Sequence, residues 1–310
     1  MAAAPRVVSL LPSATEIAVA LGFEAHLVGR SHECDFPPAV EALPALTATK
    51  LRKGLSSVEI DQRVQEIVRQ GLSAYEVDAQ RLRALRPDVI LTQTQCAVCA
   101  VTPRDLEEAL AAWSGAEPAL VSLAPDNLAD VWGDFGRVGA ALGLPTASAE
   151  ATVARLKDRL AALAARAQAA PRRPRVAAVE WIAPLMAAGN WVPELVALAG
   201  GDNLFARPGQ HSPWLEWEAL AAADPDVVVL MPCGFRIPQT LAELAPLAGD
   251  PRWRGLRAVR EGRVYAADGH HLFNRPGPRL VESAETLAEI LHPGHFDFGH
   301  RGRYWVAAPA

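Results

Sequence analysis

Short apolar runs alternate with helix-like segments along both halves of the chain. The first half contains VVSLL, HLVGRS, VILTQ and ALVSL, and the second half contains RVAAVEW, DVVVLMP and RVYAAD. Apolar runs of this length predict strands buried on both faces, and their alternation with helices is typical of mainly parallel sheets. The pattern predicts an α/β fold with two Rossmann-like lobes, each built on a mainly parallel sheet.

The segment between the two halves predicts a single long helix. Residues 148–169 read SAEATVARLKDRLAALAARAQA, which is rich in strong helix formers and has no internal Gly or Pro. We therefore expect an N-terminal α/β lobe over 1–147, a bridging helix over 148–170 and a C-terminal α/β lobe over 171–310.

The first apolar run leads into a predicted turn and helix, RVVSLLPSATEIAVALG. Ser13 lies three residues before Glu16, a spacing that predicts a capping box at the start of the helix. Pro12 and the polar residues after it interrupt the apolar stretch, so it does not resemble the core of a secretory signal. As written, the sequence predicts a cytoplasmic protein, and a periplasmic or extracytoplasmic one if a leader has been removed.

Composition narrows the classes of partner. Half of the residues are hydrophobic, and the formal net charge is -5 at pH 7. This balance gives no broad attraction to phosphate backbones or anionic membranes, and no segment is long and apolar enough to span a bilayer. We expect a monomer that binds a small molecule, with no nucleic acid partner and no membrane insertion.

The spacing of the four cysteines does not resemble the disulfide framework of a secreted protein. Cys96 and Cys99 make one CxxC with no second pair to complete a common zinc site. Cys34 and Cys233 also fall just after predicted strands. Small buried thiols are the favoured interpretation. The alternative is a metal or redox role, with Cys34, Cys96 and Cys99 as candidate metal ligands.

Four stretches, taken in order, carry a resemblance to a known family. They are RVVSLLPSATEIAVALG, VGRSHECDFPP, WVPELVALAGGDNLF and FNRPGPRLVESAETLAEILHP. Together they resemble the helical-backbone, or class III, substrate-binding proteins of ABC transporters, and especially the cobalamin-binding branch. The resemblance implies two lobes joined by a rigid helix, with the ligand held edge-on between them, and a binding protein in place of an enzyme.

The loops that follow the strands supply the candidate ligand contacts, because open α/β sheets bind ligands beyond the carboxyl ends of their strands. A corrin is a broad apolar ring with amide arms and a cobalt ion, so aromatic walls and a few polar groups suit it. Imidazole nitrogen is a suitable ligand for cobalt, iron or zinc, which makes His32 and His271 candidate metal ligands. The candidate ligand-binding residues are Ser13, His32, Phe36, Trp181, Trp191, Trp214, Phe235, His271, Phe273 and Arg275.

The resemblance also implies a membrane partner. Proteins of this class dock on their permease through one acidic residue on each lobe. The second-lobe position falls on Glu218, which keeps the acid, whereas the first-lobe position falls on Gln80, which does not.

We therefore expect binding of cobalamin or cobinamide, by a substrate-binding protein or a cytoplasmic corrinoid carrier. One alternative is a haem or iron-chelate binding protein. Anionic siderophores would favour several convergent basic residues, and these loops offer mainly Arg30, Arg236 and Arg275. A second alternative is a cytoplasmic cofactor-dependent enzyme or sensor that uses the cysteines and histidines.

Overall fold

The computed structural model describes residues 5–52, 54–69, 74–93, 106, 110 and 117–309. The chain forms two compact units, each assembled from separate stretches of sequence. Unit 1 consists of Met1–Leu55, Glu59–Pro125 and Ala129–Arg155. Unit 2 consists of Ser56–Val58, Asp126–Leu128 and Leu156–Ala310.

Unit 1 is built on a parallel sheet. Its described strands are β1 (Val7–Ser9), β2 (Leu27–Arg30), β3 (Thr47–Thr49), β4 (Tyr75–Val77), β5 (Val89–Gln93) and β6 (Ala119–Leu123). Four of them form a sheet in the order β2-β1-β5-β6, with every neighbouring pair parallel, and β3 and β4 form a separate antiparallel pair. Every residue of β1 and β5 is buried. The four strands predicted from the apolar runs of this half are confirmed.

The helices of unit 1 begin in different ways. Those described are α1 (Pro12–Ala20), α2 (Ser57–Arg69), α3 (Ala79–Leu85) and α4 (Leu128–Ala141), with 3-10 turns at Glu24–His26 and Pro38–Ala42. The first residues of α2 and α4 belong to the short early stretches of unit 2. The capping box predicted for α1 is wrong, because Leu11 is the extended N-cap residue and no side chain caps this end. Pro12 supplies the first helical residue, which its fixed φ favours, and Ser13 becomes a buried residue of the first turn.

The predicted long helix is present as α5 (Thr146–Gln168), and the division between the units falls within it. Leu160, Leu163 and Ala167 are buried along one stripe of α5, at the spacing expected of a helix with one apolar face.

Unit 2 contains a mixed sheet with a parallel centre. Its strands are β7 (Arg175–Trp181), β8 (Met186–Ala187), β9 (Asp202–Asn203), β10 (Val227–Leu230), β11 (Val264–Ala267) and β12 (Trp305–Ala307). The order is β12-β11-β10-β7-β8, and β9 also pairs with β7. The strands β7, β10 and β11 are parallel, whereas β8 and β12 are antiparallel to their neighbours. The three parallel strands are those predicted from the sequence, and the two-lobed α/β fold class is confirmed.

The last helix of unit 2 is buried almost all round. The helices are α6 (Val192–Leu198), α7 (Trp217–Ala223), α8 (Ile237–Leu247), α9 (Pro251–Gly255), α10 (Arg257–Arg260) and α11 (Leu280–Leu291). Only Glu282 of α11 is not buried. The helix nevertheless carries two buried carboxylates, Glu285 and Glu289, and burial of a charge requires partners.

Both buried carboxylates of α11 have such partners. Glu285 accepts a hydrogen bond from Arg159 of α5 at 2.8 Å and lies 3.0 Å from the Nε2 atom of His300. Burial acts to raise the pKa of Glu285, but His300 and Arg159 outweigh it and hold the pKa below its usual range. Glu289 accepts the indole N–H of Trp305 at 2.6 Å and the backbone N–H of His300 at 3.2 Å, together with the backbone N–H of Phe298.

The two short early stretches of unit 2 are held by carboxylates of the same unit. Glu243 of α8 accepts the backbone N–H of Ser57 at 3.2 Å and also the Ser57 hydroxyl. Glu194 of α6 accepts the backbone N–H of Leu128 at 2.9 Å. A carboxylate at the first turn of a helix satisfies an otherwise unpaired N–H and complements the helix dipole. Ser57 and Leu128, the first residues of α2 and α4, are therefore each held by a carboxylate of their own unit.

Helix α4 contains a buried acid whose pKa is shifted upward. The side chain of Asp134 is fully buried, its Oδ1 atom accepts a hydrogen bond from Arg137, and its Oδ2 atom has no hydrogen-bond partner in the described part of the chain. Burial raises the pKa of Asp134 from 3.8 to about 6, and Arg137 opposes that shift only in part. Folding therefore favours the protonated form of this group.

We expect Asp134 to make stability fall as pH rises. Because the pKa of Asp134 is higher in the folded than in the unfolded protein, the protonated carboxyl group stabilises the fold. This contribution is fully present below the unfolded pKa and is lost as pH rises through about 6. Raising the pKa from 3.8 to about 6 corresponds to at most about 3 kcal/mol of stability. Denaturant unfolding should therefore show a free energy of unfolding that increases from pH 7 to pH 5 by more in the wild type than in Asp134→Asn. Exposed Asp158→Asn serves as the control, and equal pH profiles for wild type and Asp134→Asn would contradict the prediction.

Within the described ranges, no helix has the length and apolar character needed to cross a bilayer.

Candidate functional site

The loop after β11, which we call the histidine loop (residues 268–275), is organised around an aspartate. Asp268 directly follows the strand, and its Oδ1 atom accepts the backbone N–H groups of His270 at 3.0 Å and His271 at 2.9 Å. Its Oδ2 atom lies 2.9 Å from the Nδ1 atom of His271. Burial acts to raise the pKa of Asp268, but the hydrogen bonds and charge of His271 outweigh it and hold the pKa below its usual range. The carboxylate is therefore ionised and fixes the ring of His271.

The second histidine of this loop has a different partner. The guanidinium of Arg275, itself buried, lies with Nη2 3.0 Å from the Nε2 atom of His270. The two imidazole rings meet edge to face, with their centroids 4.7 Å apart. Arg275, predicted as a ligand contact, thus holds His270 in place.

The remainder of the histidine loop is fixed by backbone contacts. The side-chain amide of Asn274 donates to the carbonyl oxygens of Met231 at 3.2 Å and Gly269 at 3.0 Å. A Cβ atom on Gly269 would lie 2.1 Å from the carbonyl oxygen of Pro232, so no side chain fits there. The loop therefore packs directly on the backbone beyond β10.

Two of the predicted aromatic contacts are interior supports of the same loop. Phe273 is fully buried and adopts a left-handed φ of 57°. Its N–H donates to the Ser283 hydroxyl at 3.1 Å, and its carbonyl oxygen accepts the indole N–H of Trp191 at 2.6 Å. Trp191 is itself buried. Backbone strain at Phe273 is thus held by hydrogen bonds on both sides.

The other predicted aromatic residues of unit 2 differ in exposure. Phe235 is buried, and its ring centroid lies 5.3 Å from that of Trp181, which is half-buried at the end of β7. Trp214 is 56% exposed, although its backbone forms an antiparallel bridge with Met186. An exposed tryptophan on an ordered backbone is a suitable surface for stacking against a flat apolar ligand.

The segment that precedes Trp214 is held by polar groups that the sequence did not single out. The Ser212 hydroxyl donates to Glu180 at 2.9 Å and accepts the backbone N–H of Gly189 at 3.0 Å. A Cβ atom on Gly189 would lie 2.5 Å from the backbone nitrogen of Ser212. Glu180 precedes Trp181 at the end of β7. In the sequence, an acidic residue beside a tryptophan at a strand end is the feature that points to this polar contact.

In unit 1 the predicted residues lie at the carboxyl ends of β1 and β2. Ser13 is buried, whereas His32 and Phe36 are partly exposed. The Nδ1 atom of His32 lies 2.7 Å from the Thr47 hydroxyl, and its ring centroid lies 5.8 Å from that of Tyr75.

The cysteines can be placed only in part. Cys34 is fully buried, 3.0 Å from the hydroxyl of Thr15, and Cys233 is partly exposed after β10. Neither forms a disulfide bond with another described cysteine. Cys96 and Cys99 lie outside the described residues.

Comparison with known families gives the context for these loops. The periplasmic binding protein family matches residues 7–270, which is most of the chain. This chain belongs to the periplasmic binding protein family. The resemblance to class III substrate-binding proteins of ABC transporters is thereby confirmed. Members of this family are binding proteins, and their periplasmic location does not support the cytoplasmic prediction.

Proteins similar to this chain are named for two kinds of ligand, cobalamin and heme. A cobalamin-binding protein of Halobacterium salinarum is 32% identical over 152 residues, which are 47% of this chain and 40% of that protein. The match thus spans less than half of that relative. The structure of a periplasmic heme binding protein from Pseudomonas aeruginosa matches with a TM-score of 0.69 and 25% identity, over 94% of this chain and 93% of that one. That of the periplasmic vitamin B12 binding protein of Vibrio cholerae matches with a TM-score of 0.63 and 21% identity, over 93% and 96%.

Proposed function

We propose that this chain binds a corrinoid, either cobalamin or cobinamide, as the extracytoplasmic substrate-binding protein of an ABC importer. The observation that carries the proposal is the 32% identity with a cobalamin-binding protein. The ordered sequence motifs that resemble the cobalamin-binding branch also support it. Location of the ligand between the two lobes, and the monomeric state, stay predictions from the sequence.

We further propose a division of roles among the candidate residues of unit 2. Exposed Trp214 and half-buried Trp181 offer ring faces to the apolar macrocycle, and His271 offers a polar contact. Trp191, Phe235 and Phe273 are buried, so they act as positioning residues beneath the loops.

In unit 1, His32 and Phe36 are proposed as contacts because both are partly exposed at strand ends. Ser13 lies in the first turn of α1, where its buried hydroxyl would act together with backbone N–H groups.

Haem is the second candidate ligand, favoured by the similarity to the heme binding protein of Pseudomonas aeruginosa. A porphyrin shares the flat apolar ring of a corrin but carries two carboxylates in place of amide arms. Among the basic residues of the predicted loops, Arg275 is buried against His270, and Arg30 binds the backbone carbonyl groups of Leu43 and Ser31. Arg236 is the exposed one of the three arginines, so the described loops offer one exposed guanidinium for the two carboxylates of haem.

The enzyme or sensor alternative is not proposed. It depended on cysteines and histidines at strand ends; of the described cysteines, Cys34 is buried against Thr15 and Cys233 is partly exposed. The family consists of substrate-binding proteins.

A permease partner is proposed through Glu218, which is exposed in the first turn of α7. The corresponding position of unit 1, Gln80, is exposed in the first turn of α3 and follows the N-cap residue Asp78. Asp78 is engaged as that cap, accepting the backbone N–H of Arg81 at 2.9 Å. The docking surface of unit 1 therefore carries less negative charge at this position than the resemblance implies.

Titration by calorimetry and visible absorption tests the proposed function. We expect cyanocobalamin or cobinamide to bind with a Kd of about 1 μM or lower, and haemin to compete poorly. Trp214→Ala should weaken corrinoid binding by about tenfold, because one stacked aromatic face contributes roughly 1 kcal/mol or more beyond buried area. Leu120→Ala removes another exposed apolar side chain, in β6, and serves as the control. Absence of corrinoid binding with tight binding of haemin would replace the first candidate by the second.

A further inference from the structure

The segment that carries Trp214 extends the sheet of unit 2 beyond β8. Two backbone hydrogen bonds of 2.9 Å join it to that strand, from the N–H of Ala187 to the carbonyl oxygen of Pro213 and from the N–H of Leu215 to that of Leu185. These bonds flank Met186 and Trp214, which form an antiparallel bridge. The two residues are therefore a non-hydrogen-bonded pair, the kind of antiparallel pair in which the side chains lie closest to each other.

The pair of Met186 and Trp214 lies on the side of the sheet away from an apolar core. Leu185 and Leu215, which are next to the pair in sequence, are both buried in one apolar cluster of unit 2. Successive side chains of a strand point to opposite faces, so Met186 and Trp214 point away from that cluster. Their exposure agrees with this direction, because Met186 is half-buried and Trp214 is 56% exposed.

Trp181 joins the same row of side chains from the other side of Met186. The pairing of β7 with β8 shifts between Val179, which lies opposite Ala187, and Trp181, which lies opposite Met186. An extra residue at such a shift re-aims a side chain near a strand end. Residues directly opposite each other share a face, so Trp181, Met186 and Trp214 form one cross-strand row, which we call the tryptophan–methionine row. Neighbouring strands lie about 4.8 Å apart, so the row spans roughly 10 Å.

We propose that Met186 contacts the ring of the bound corrinoid, as the middle residue of the tryptophan–methionine row. This proposal rests on the proposed function, in which Trp181 and Trp214 offer their ring faces to the macrocycle. A broad ring that lies against both tryptophans also covers the residue between them. The methionine side chain is unbranched and its thioether is polarizable, so it adapts to an uneven apolar surface and packs well against aromatic rings.

Oxidation of the methionine sulfur tests this contact directly. Hydrogen peroxide transfers one oxygen atom to an exposed thioether and leaves as water, which yields methionine sulfoxide. The chain has three methionines, Met1, Met186 and Met231, and fully buried Met231 serves as the internal control. In the wild type, we expect saturating dicyanocobinamide to slow the oxidation of Met186 by about fivefold or more, because the bound ring covers the sulfur. Mass spectrometry of the peptides measures each site, and Met231 should react slowly with and without the ligand.

Two substitutions of Met186 separate the contact from the fold. Met186→Leu keeps an apolar side chain of similar volume, so calorimetry should find an affinity for dicyanocobinamide within about threefold of wild type. Met186→Gln keeps the length of the side chain but places an amide against the ring, where it loses hydration, and should weaken binding by about tenfold. Val58→Ala removes another exposed apolar side chain of unit 2 and serves as the control, with denaturant unfolding to check the fold of each variant.

The outcomes distinguish this proposal from the function on which it rests. Slower oxidation of Met186 in the complex, with weaker binding by Met186→Gln and retained binding by Met186→Leu, would support the contact. Unchanged oxidation of Met186 while dicyanocobinamide is bound, or wild-type affinity in Met186→Gln, would overturn the contact and leave corrinoid binding in place. A wild type that binds neither dicyanocobinamide nor cyanocobalamin would remove the proposed function and this proposal together.

Discussion

Replacing Gly269 by alanine is expected to weaken corrinoid binding by about two orders of magnitude and to lower the free energy of unfolding by about 1 to 3 kcal/mol. The added Cβ atom would lie 2.1 Å from the carbonyl oxygen of Pro232 and 2.7 Å from that of Met231, and both obstacles are backbone. The histidine loop must therefore move away from β10. That movement would break the two hydrogen bonds from Asn274 and displace His271.

Gly255→Ala is the matched control for this prediction. Gly255 ends α9, no atom lies within 4 Å of the position of an added Cβ, and the residue is exposed. Alanine is favoured over glycine in a helix by up to about 1 kcal/mol, so this variant should be neutral or more stable. Calorimetric titration and denaturant unfolding of both variants provide the measurements. Wild-type affinity in Gly269→Ala would show that the loop does not need its close packing.

Removing the carboxylate of Glu289 is expected to lower the free energy of unfolding by about 3 kcal/mol. Glu289→Ala would leave the indole N–H of buried Trp305 and two backbone N–H groups without their acceptor. Glu289→Gln keeps one carbonyl oxygen but turns an amide N–H group toward an N–H donor, so we expect roughly half of that loss. Denaturant unfolding of both variants measures the effect.

A double-mutant cycle with Trp305→Phe identifies the cause of that loss. In the Trp305→Phe background the cost of Glu289→Gln should fall, because the opposing donor is gone. Glu282 lies in the same helix and pairs with half-exposed Arg159. Glu282→Ala should therefore lower the free energy of unfolding by less than about 1 kcal/mol. A loss at Glu289 no larger than the loss at Glu282 would show that the buried acceptor is dispensable.

The strands and the long helix were predictable because each depends on a pattern within its own segment. The runs VILTQ and DVVVLMP are apolar on both faces, as the centre of a parallel sheet requires. Helix α5 begins two residues before its predicted start, just after Pro145. The short helices α9 and α10 and the short strands β8 and β9 carry no such pattern, since their conformation depends on what they pack against.

The candidate site was less predictable, because exposure in a loop is decided by tertiary contacts. Trp191 and Trp214 both lie in predicted loops, and the sequence gives no sign of which one is buried. Trp191 is buried and donates its indole N–H to the carbonyl oxygen of Phe273, whereas Trp214 is exposed. Asp268 is not among the predicted site residues, although the string DGHH carries a signal for it. An aspartate directly after a strand commonly accepts N–H groups two and three residues ahead, which places the second of two histidines against it.

The discontinuous make-up of unit 2 determines how the protein can be dissected and in what order it is completed during synthesis. A fragment covering 156–310 lacks Ser57 and Leu128, so the carboxylates of Glu243 and Glu194 would lose the backbone donors that they hold in the intact chain. Those donors leave the ribosome well before their acceptors, so α2 and α4 gain their caps only after α6 and α8 have been made. Expression of residues 156–310 alone would therefore yield a unit that lacks both of these early segments.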